Sequence, residues 1–329
     1  MHIPDNYLSP STCISLATVM VVVWRRAVDK VKNEFNKRKF PLLGICAAFS
    51  FLIMMFNIPL PGGTTGHAVG STLVAILLGP YAAVISITVA LAIQALFFGD
   101  GGILAFGVNA FNMAFIMPFI GYYIFKLIKG KSENKNRNYI AAFFGAYISI
   151  NAAAFLAAIE FGIQPILFKS ILGFPIYCPY PLKVTIPSML VPHLLVAGVV
   201  EGIITAGVYM YVRKLSPEVI YRKHESENSQ LRLRPIYALI ATMIILCPLG
   251  LLASGTAWGE WSVEELKGLI GYVPQGMQNG LSYKTIFLDY VVTGLPETVG
   301  YIISAVLGVL GIYIIIKLIN KKVLVVRDR

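Results

Sequence analysis

Residues 81–98 read YAAVISITVALAIQALFF, an unbroken apolar run without a single charge. As a helix this run is about 27 Å long, close to the ~30 Å hydrocarbon core of a bilayer. Similar runs recur on both sides of it. Nine apolar segments can be marked, at about 9–24, 40–58, 66–79, 81–98, 103–125, 139–162, 188–212, 235–253 and 297–316. The chain is 57% hydrophobic and only 13% charged, with a mean hydropathy of +0.73. Soluble domains carry about 25% charged residues. A transmembrane barrel would alternate apolar and polar residues in short segments, and these runs are continuous. The expected fold is therefore all-α: a polytopic membrane protein with a seven-helix bundle followed by a two-helix C-terminal hairpin. The third segment ends at Gly79-Pro80 and reaches only about 21 Å as a helix, so it is expected to pack inside the bundle or stop short of one face.

Basic residues orient the chain. They gather in Arg25 to Lys39, in Lys126 to Arg137, in Arg213 to Arg234 and in the tail from Lys317 to Arg329, which together hold 23 of the 27 Lys and Arg. With nine crossings all four regions lie on one side, giving an N-terminus outside and a C-terminus in the cytoplasm. The net charge of +11 reflects this excess; it implies contact with membrane lipid and gives no reason to invoke nucleic acid. Residues 1–24 show no basic start of the kind a secretory signal needs. The polar stretch 214–234, KLSPEVIYRKHESENSQLRLR, reads as a cytoplasmic linker between a body at 1–213 and a hairpin at 235–329, and His224 within it reads as solvated.

Chemistry is sparse. Cys13, Cys46, Cys178 and Cys247 are far apart and form no zinc or redox motif. There is no GxxxxGK[ST] and no HExxH, so neither a P-loop ATPase nor a zincin is expected. The informative stretch is the opening, Met1-His2-Ile3-Pro4-Asp5. The α-amine of Met1, the deprotonated backbone nitrogen of His2 and one imidazole nitrogen of His2 can hold one ion in fused rings. A fourth nitrogen would complete a square, a geometry that favours Ni(II) or Cu(II) and can accommodate Co(II). Histidine at position 2 is too bulky for the usual methionine removal, so Met1 is expected to persist.

His67 follows PLPGGTTG on the loop between the second and third segments, the same face as His2 by the crossing count. His193 and Glu201 lie within the seventh segment, eight residues apart and on roughly one face. Ionisable groups there are functional candidates or helix-pairing groups. Asn109 and Asn112 share a helical face and can support a ligating imidazole or bind helix backbone. Asp100, in Gly99-Asp100-Gly101-Gly102, reads as a turn residue.

Together, Met1-His2-Ile3-Pro4-Asp5, Gly66-His67-Ala68-Val69-Gly70, Gly107 to Met113 and His193 through Glu201-Gly202 resemble the CbiM/NikM family. These are the metal-binding membrane (S) subunits of energy-coupling factor (ECF) importers for cobalt and nickel. The resemblance implies that Met1, His2 and His67 are metal ligands, with Asn109, Asn112, His193 and Glu201 in supporting or structural roles. It implies Co(II) or Ni(II) as transported substrate, with cobalamin biosynthesis as one use of cobalt. It also implies partners: a transmembrane coupling (T) subunit and two ATPase (A) subunits. The C-terminal hairpin resembles the small CbiN/NikN subunit fused in one chain. Asn6-Tyr7 stands where the family pattern leads us to expect a glycine after Asp5. The competing reading is an intramembrane enzyme or metal sensor using His193 and Glu201, though no second acid, nucleophile or activating metal motif accompanies them. The outside loop at 254–296, with Trp258, Trp261, Tyr272, Glu260, Glu264 and Glu265, is expected to dock near the His67 turn and gate metal access.

Overall fold

Ser9 starts the first helix. Its hydroxyl accepts from the Thr12 N–H at 3.1 Å, and Pro10 takes a first-turn position where its missing N–H costs nothing. In the computed structural model, which describes residues 1–35, 39–220 and 231–327, this helix α1 runs Pro10–Glu34. It continues past the apolar segment because Ala27 and Val31, four apart, stay buried while Arg25, Arg26 and Lys30 face outward. Lys37, Arg38, Arg222, Lys223, His224 and Arg329 lie outside the described residues.

Among the described residues, seven helical stretches are long and apolar enough to cross a membrane. They are α1; α4 (Pro80–Ile93) with the π turn Gln94–Phe98; α5 (Phe106–Asn109) running through the π turn Ala110–Ile116 into α6 (Met117–Lys129); α7 (Lys135–Gly162) with α8 (Gln164–Leu167); α9 (Leu182–Pro192) joined by the π turn His193–Ala197 to α10 (Gly198–Leu215); α11 (Arg234–Leu246) with the 3₁₀ turn Cys247–Leu252; and α14 (Glu297–Arg327). The two remaining apolar segments give shorter helices. One is α2 (Phe40–Met54); the other is α3 (Ser71–Leu78), every residue of which is buried. At roughly 12 Å α3 is too short to span by itself, and it packs inside the bundle between Gly70 and Gly79, both at positive φ. A hairpin of β1 (Ile58–Leu60) and β2 (Thr64–Gly66) links α2 to α3. The short helices α12 (Val263–Ile270) and α13 (Gln275–Gln278) sit in the loop before α14.

In lipid the attraction between helices comes from close packing rather than from water exclusion, so small residues line the contacts. The buried face of α7 is made of Ala141, Ala142, Gly145, Ala146, Ser149 and Ala153, continuing through Ala154, Ala157 and Ala158. It receives α6, α9 and α10. A β-carbon on Gly145 would come within 2.8 Å of the Gly121 carbonyl, so a larger residue would push α6 and α7 apart. Ile14, Val22, Leu127, Ile140, Leu195 and Ile314 point outward, as a lipid-facing surface requires. Helices α11 and α14 both lie against α2, where the Tyr301 hydroxyl donates to the Met55 carbonyl at 2.8 Å. This contact fixes the C-terminal hairpin on the body.

Candidate metal site

The first eight residues run inward. Met1, His2, Ile3, Tyr7 and Leu8 are all buried, and each turn of this path has an identifiable cause. Asn109 binds both faces of the Ile3 peptide: its Oδ1 accepts from the Ile3 N–H at 2.8 Å, and its Nδ2 donates to the Ile3 carbonyl at 3.0 Å. The Gly102 N–H donates to the same carbonyl at 2.9 Å. The Asp5 carboxylate accepts from the N–H groups of Ile103, Leu104 and Ala105 at 2.9, 2.7 and 3.3 Å. These amides lead into α5, where a negative group is favoured. A β-carbon on Gly102 would overlap Asp5, so only glycine lets the two strands of chain meet. Asn6 has φ +69°, a left-handed conformation that asparagine tolerates better than most residues. This explains why the expected glycine can be replaced here. Its side chain exchanges two hydrogen bonds of 2.9 Å with the Leu281 backbone.

The β1–β2 hairpin carries His67 to the same place. The His2 and His67 rings are 5.1 Å apart between centroids. Beyond His67, the Glu201 carboxylate accepts from the Val69 N–H at 2.7 Å and from the Gly70 N–H at 3.0 Å. Glu201 thus holds the backbone turn after His67 from inside the bundle. His193 Nδ1 lies 2.7 Å from the Met189 carbonyl one helical turn back, and the His193 ring shares with Met1 and His67 a crevice of about 10 Å³. Asn112 is turned elsewhere and donates to Glu160 at 2.6 Å. The structure therefore brings Met1, His2, His67, Asn109 and His193 together, places Glu201 behind the His67 turn, and leaves Asn112 in a separate pair. Neither asparagine supports an imidazole.

Asp100 is not a simple turn residue. Its Oδ1 is 2.8 Å from His2 Nδ1, and its Oδ2 accepts from the Tyr290 hydroxyl at 2.6 Å. Burial would raise this carboxyl, but the charge of His2 and its close contact outweigh burial and hold it below the usual carboxylate range. Glu260 was also missed as a direct neighbour: its Oε1 is 3.0 Å from the Met1 ammonium. No local signal marks either residue, because their partners are remote in sequence. His67 is kept neutral. Burial, then the nearby ammonium and His2, push its pKa down to about 3. With its proton on Nδ1, directed at the Ala68 carbonyl 3.1 Å away, His67 presents Nε2 as a lone pair.

Among the described residues no three His, Cys, Asp or Glu side chains are grouped to hold a metal. A metal here would have to use main-chain nitrogen. Chelation by the amine and the His2 amide closes a small ring only through Nδ1, since Nε2 points away from the backbone. His2 Nε2 is buried without a hydrogen bond, while Nδ1 has the Asp100 carboxylate 2.8 Å away. A buried polar atom such as Nε2 calls for an explanation.

Residues 254–296 cover this face. Trp258 N–H donates to Thr64 Oγ1 at 2.7 Å, the Tyr7 hydroxyl donates to the Trp261 carbonyl at 2.8 Å, and the Phe287 N–H donates to the Phe97 carbonyl at 3.0 Å. Trp258, Trp261, Tyr180 and Phe161 form one aromatic cluster beside the N-terminal segment.

Comparison with known proteins agrees with this arrangement. Residues 2–219 match the family described as CbiM, cobalt uptake substrate-specific transmembrane region, and residues 233–324 match the PDGLE domain. The chain is 50% identical over 325 residues to the probable fused nickel transport protein LarMN of Lactiplantibacillus plantarum, covering 96% of this chain and 97% of that one. It is 43% identical over 327 residues to the fused nickel transport protein NikMN of Rhodobacter capsulatus, with 94% of each chain covered. A crystal structure of a truncated transition metal transporter superposes with a TM-score of 0.62 at 53% identity, covering 65% of this chain and 99% of that one.

Proposed function

The chain belongs to the CbiM/NikM family of nickel and cobalt transport proteins and carries a CbiN-like PDGLE unit, and on that premise we propose that it captures Co(II) or Ni(II) outside the cell as the S component of an ECF importer. The ion is held by four nitrogens in a plane: the Met1 amine, the His2 amide, His2 Nδ1 and His67 Nε2. Residues 1–213 form the capture body, 214–234 a cytoplasmic linker and 235–329 the accessory hairpin, in a cell membrane with the N-terminus outside. With no P-loop in the sequence, a coupling T subunit and two ATPase A subunits supply the energy.

The observation that carries this reading is the meeting of His2 and His67, rings 5.1 Å apart, at a buried N-terminus. Burying a terminal ammonium and two imidazoles costs free energy, which the facing carboxylates of Glu260 and Asp100 offset for the amine and His2. The enzyme and sensor readings lose support. Both Glu201 oxygens are committed to the Val69–Gly70 turn and His193 Nδ1 to the Met189 carbonyl, so the two do not form a reacting pair.

Four nitrogen donors in a plane favour Ni(II) and can accommodate Co(II). The test is Ni(II) titration of purified protein with a native N-terminus against the same protein extended by one residue before Met1. The native chain should bind far more tightly and give a yellow, diamagnetic complex. Equal affinities, or an octahedral paramagnetic spectrum, would refute the planar nitrogen site.

A further inference from the structure

The two donor atoms that the metal needs most are already occupied by carboxylates. Glu260 Oε1 lies 3.0 Å from the Met1 nitrogen, and Asp100 Oδ1 lies 2.8 Å from His2 Nδ1. These are the amine and the one ring nitrogen able to close the chelate. Both carboxylates are set by the C-terminal unit. Glu260 belongs to it. Asp100 belongs to the body, but its other oxygen is fixed by the Tyr290 hydroxyl at 2.6 Å, and Gln94 donates to both members of that pair at 3.1 Å. Tyr290 is tightly placed. It is buried, it stacks on Phe98 at 4.7 Å between centroids, and its carbonyl accepts from Ser304 of α14 at 2.8 Å. Tyr290 and its neighbour Asp289 also adopt left-handed backbone, φ +64° and +53°, an unusual conformation that the surrounding contacts must impose.

Resting on the nitrogen site proposed above, we propose that Glu260 and the Tyr290–Asp100 pair are a two-point lock. The C-terminal unit uses it to hold the amine and imidazole donors in a blocked arrangement. Metal and lock compete for the same atoms, so the ion seats only as both carboxylates withdraw. A shift of α14 reaches His2 through Ser304, Tyr290 and Asp100 in succession. Glu260 is a competitor of the ion and not one of its ligands. Half-buried ion pairs are weak stabilisers of a fold, and among the described residues the Glu260 carboxylate bonds to the body at the Met1 amine alone. Its position is thus explained by the donor it covers.

Competition makes a signed prediction: weakening the lock must tighten metal binding. Ni(II) affinity would be measured on the full chain in detergent, with a native N-terminus, by competition against a chromophoric chelator. Glu260→Gln keeps the side-chain volume and removes the charge, and should bind on the order of tenfold more tightly, the scale of a hydrogen bond to a charged group. Tyr290→Phe removes the shorter of the two side-chain hydrogen bonds that fix Asp100 Oδ2, leaving Gln94, and should tighten binding by about three- to tenfold, the scale of a single hydrogen bond. Glu264→Gln, an exposed carboxylate in the same loop, should leave affinity unchanged and so separate contact from general field. Unchanged or weaker binding in Glu260→Gln and Tyr290→Phe overturns the lock. The N-terminally extended chain distinguishes the two failures: if it binds as well as the native chain, the nitrogen site itself is wrong; if it does not, and the variants fail to tighten binding, only the lock is.

Discussion

Asn109→Ala tests whether the site depends on how the N-terminal segment is seated. Asn109 is 3% exposed and makes two hydrogen bonds to Ile3, the residue after His2. Alanine removes both. The Ile3 carbonyl keeps the Gly102 N–H at 2.9 Å, so that bond is a partial loss of roughly 1 kcal/mol. The Ile3 N–H has no other partner among the described residues and is left buried, costing about 1–3 kcal/mol. Seating of the segment should therefore weaken by about 2–4 kcal/mol, a factor of roughly 30 to 1,000 in the seated-to-unseated ratio. Affinity falls in proportion to the seated fraction, so that ratio is the ceiling, and Ni(II) binding should weaken on the order of tenfold. Binding titrations in detergent, paired with thermal melts, provide the assay. A lowered melting temperature with wild-type affinity would show that Asn109 supports the fold alone, and the reasoning that links segment seating to metal capture would be wrong.

Other outcomes follow from the same geometry. His67→Ala should fold and lose at least ~10-fold in metal affinity, read by the same titration; near-wild-type binding would remove His67 from the ligand set. His67 has a folded pKa of about 3 against an ordinary value of 6.5, so the folded state binds fewer protons than the unfolded state across that window. Stability of the metal-free protein should be complete above about pH 6.5 and decline as pH falls toward 3. Melts between pH 7.5 and 5 should show a shallower decline for His67→Gln, and parallel slopes would contradict the neutral buried ring. Replacing residues 254–296 with a short linker should reduce cellular Ni(II) or Co(II) uptake at normal membrane expression, measured with the partner subunits present. Unchanged uptake would show that the loop has no part in transport.

Much of this was legible because lipid imposes a simple rule on sequence. Runs such as 81–98 must be helical to satisfy their backbone in the bilayer. The short third segment announced itself by its length before Gly79-Pro80. That His2 and His67 share one face was readable from the crossing count, and their rings do meet, 5.1 Å apart. The π turns at 94–98, 110–116 and 193–197 were not readable, because an inserted helical residue leaves no hydropathy mark. Asn109 offered an imidazole or helix backbone from sequence and takes neither; it binds the peptide of Ile3 in the non-helical opening segment, whose course no local pattern gave. Asp100 looked like a turn residue because its glycine neighbours suit a turn; its actual surroundings are set by Tyr290, 190 positions away. Glu260 was legible as a negative charge in an outside loop, but nothing local placed it against the first residue of the chain.

The Met1–Glu260 and Asn6–Leu281 contacts join positions separated by 259 and 275 residues. A ribosome releases the opening residues long before it makes the loop that meets them. Closing so long a separation is entropically costly and slow compared with forming the individual helices. The opening segment must therefore wait through most of synthesis, and this part of the molecule is among the last to mature. An ion that reached the half-made chain would find the chelating end before its cover. The order of manufacture, as well as the finished architecture, thus bears on when the proposed nitrogen site is first complete.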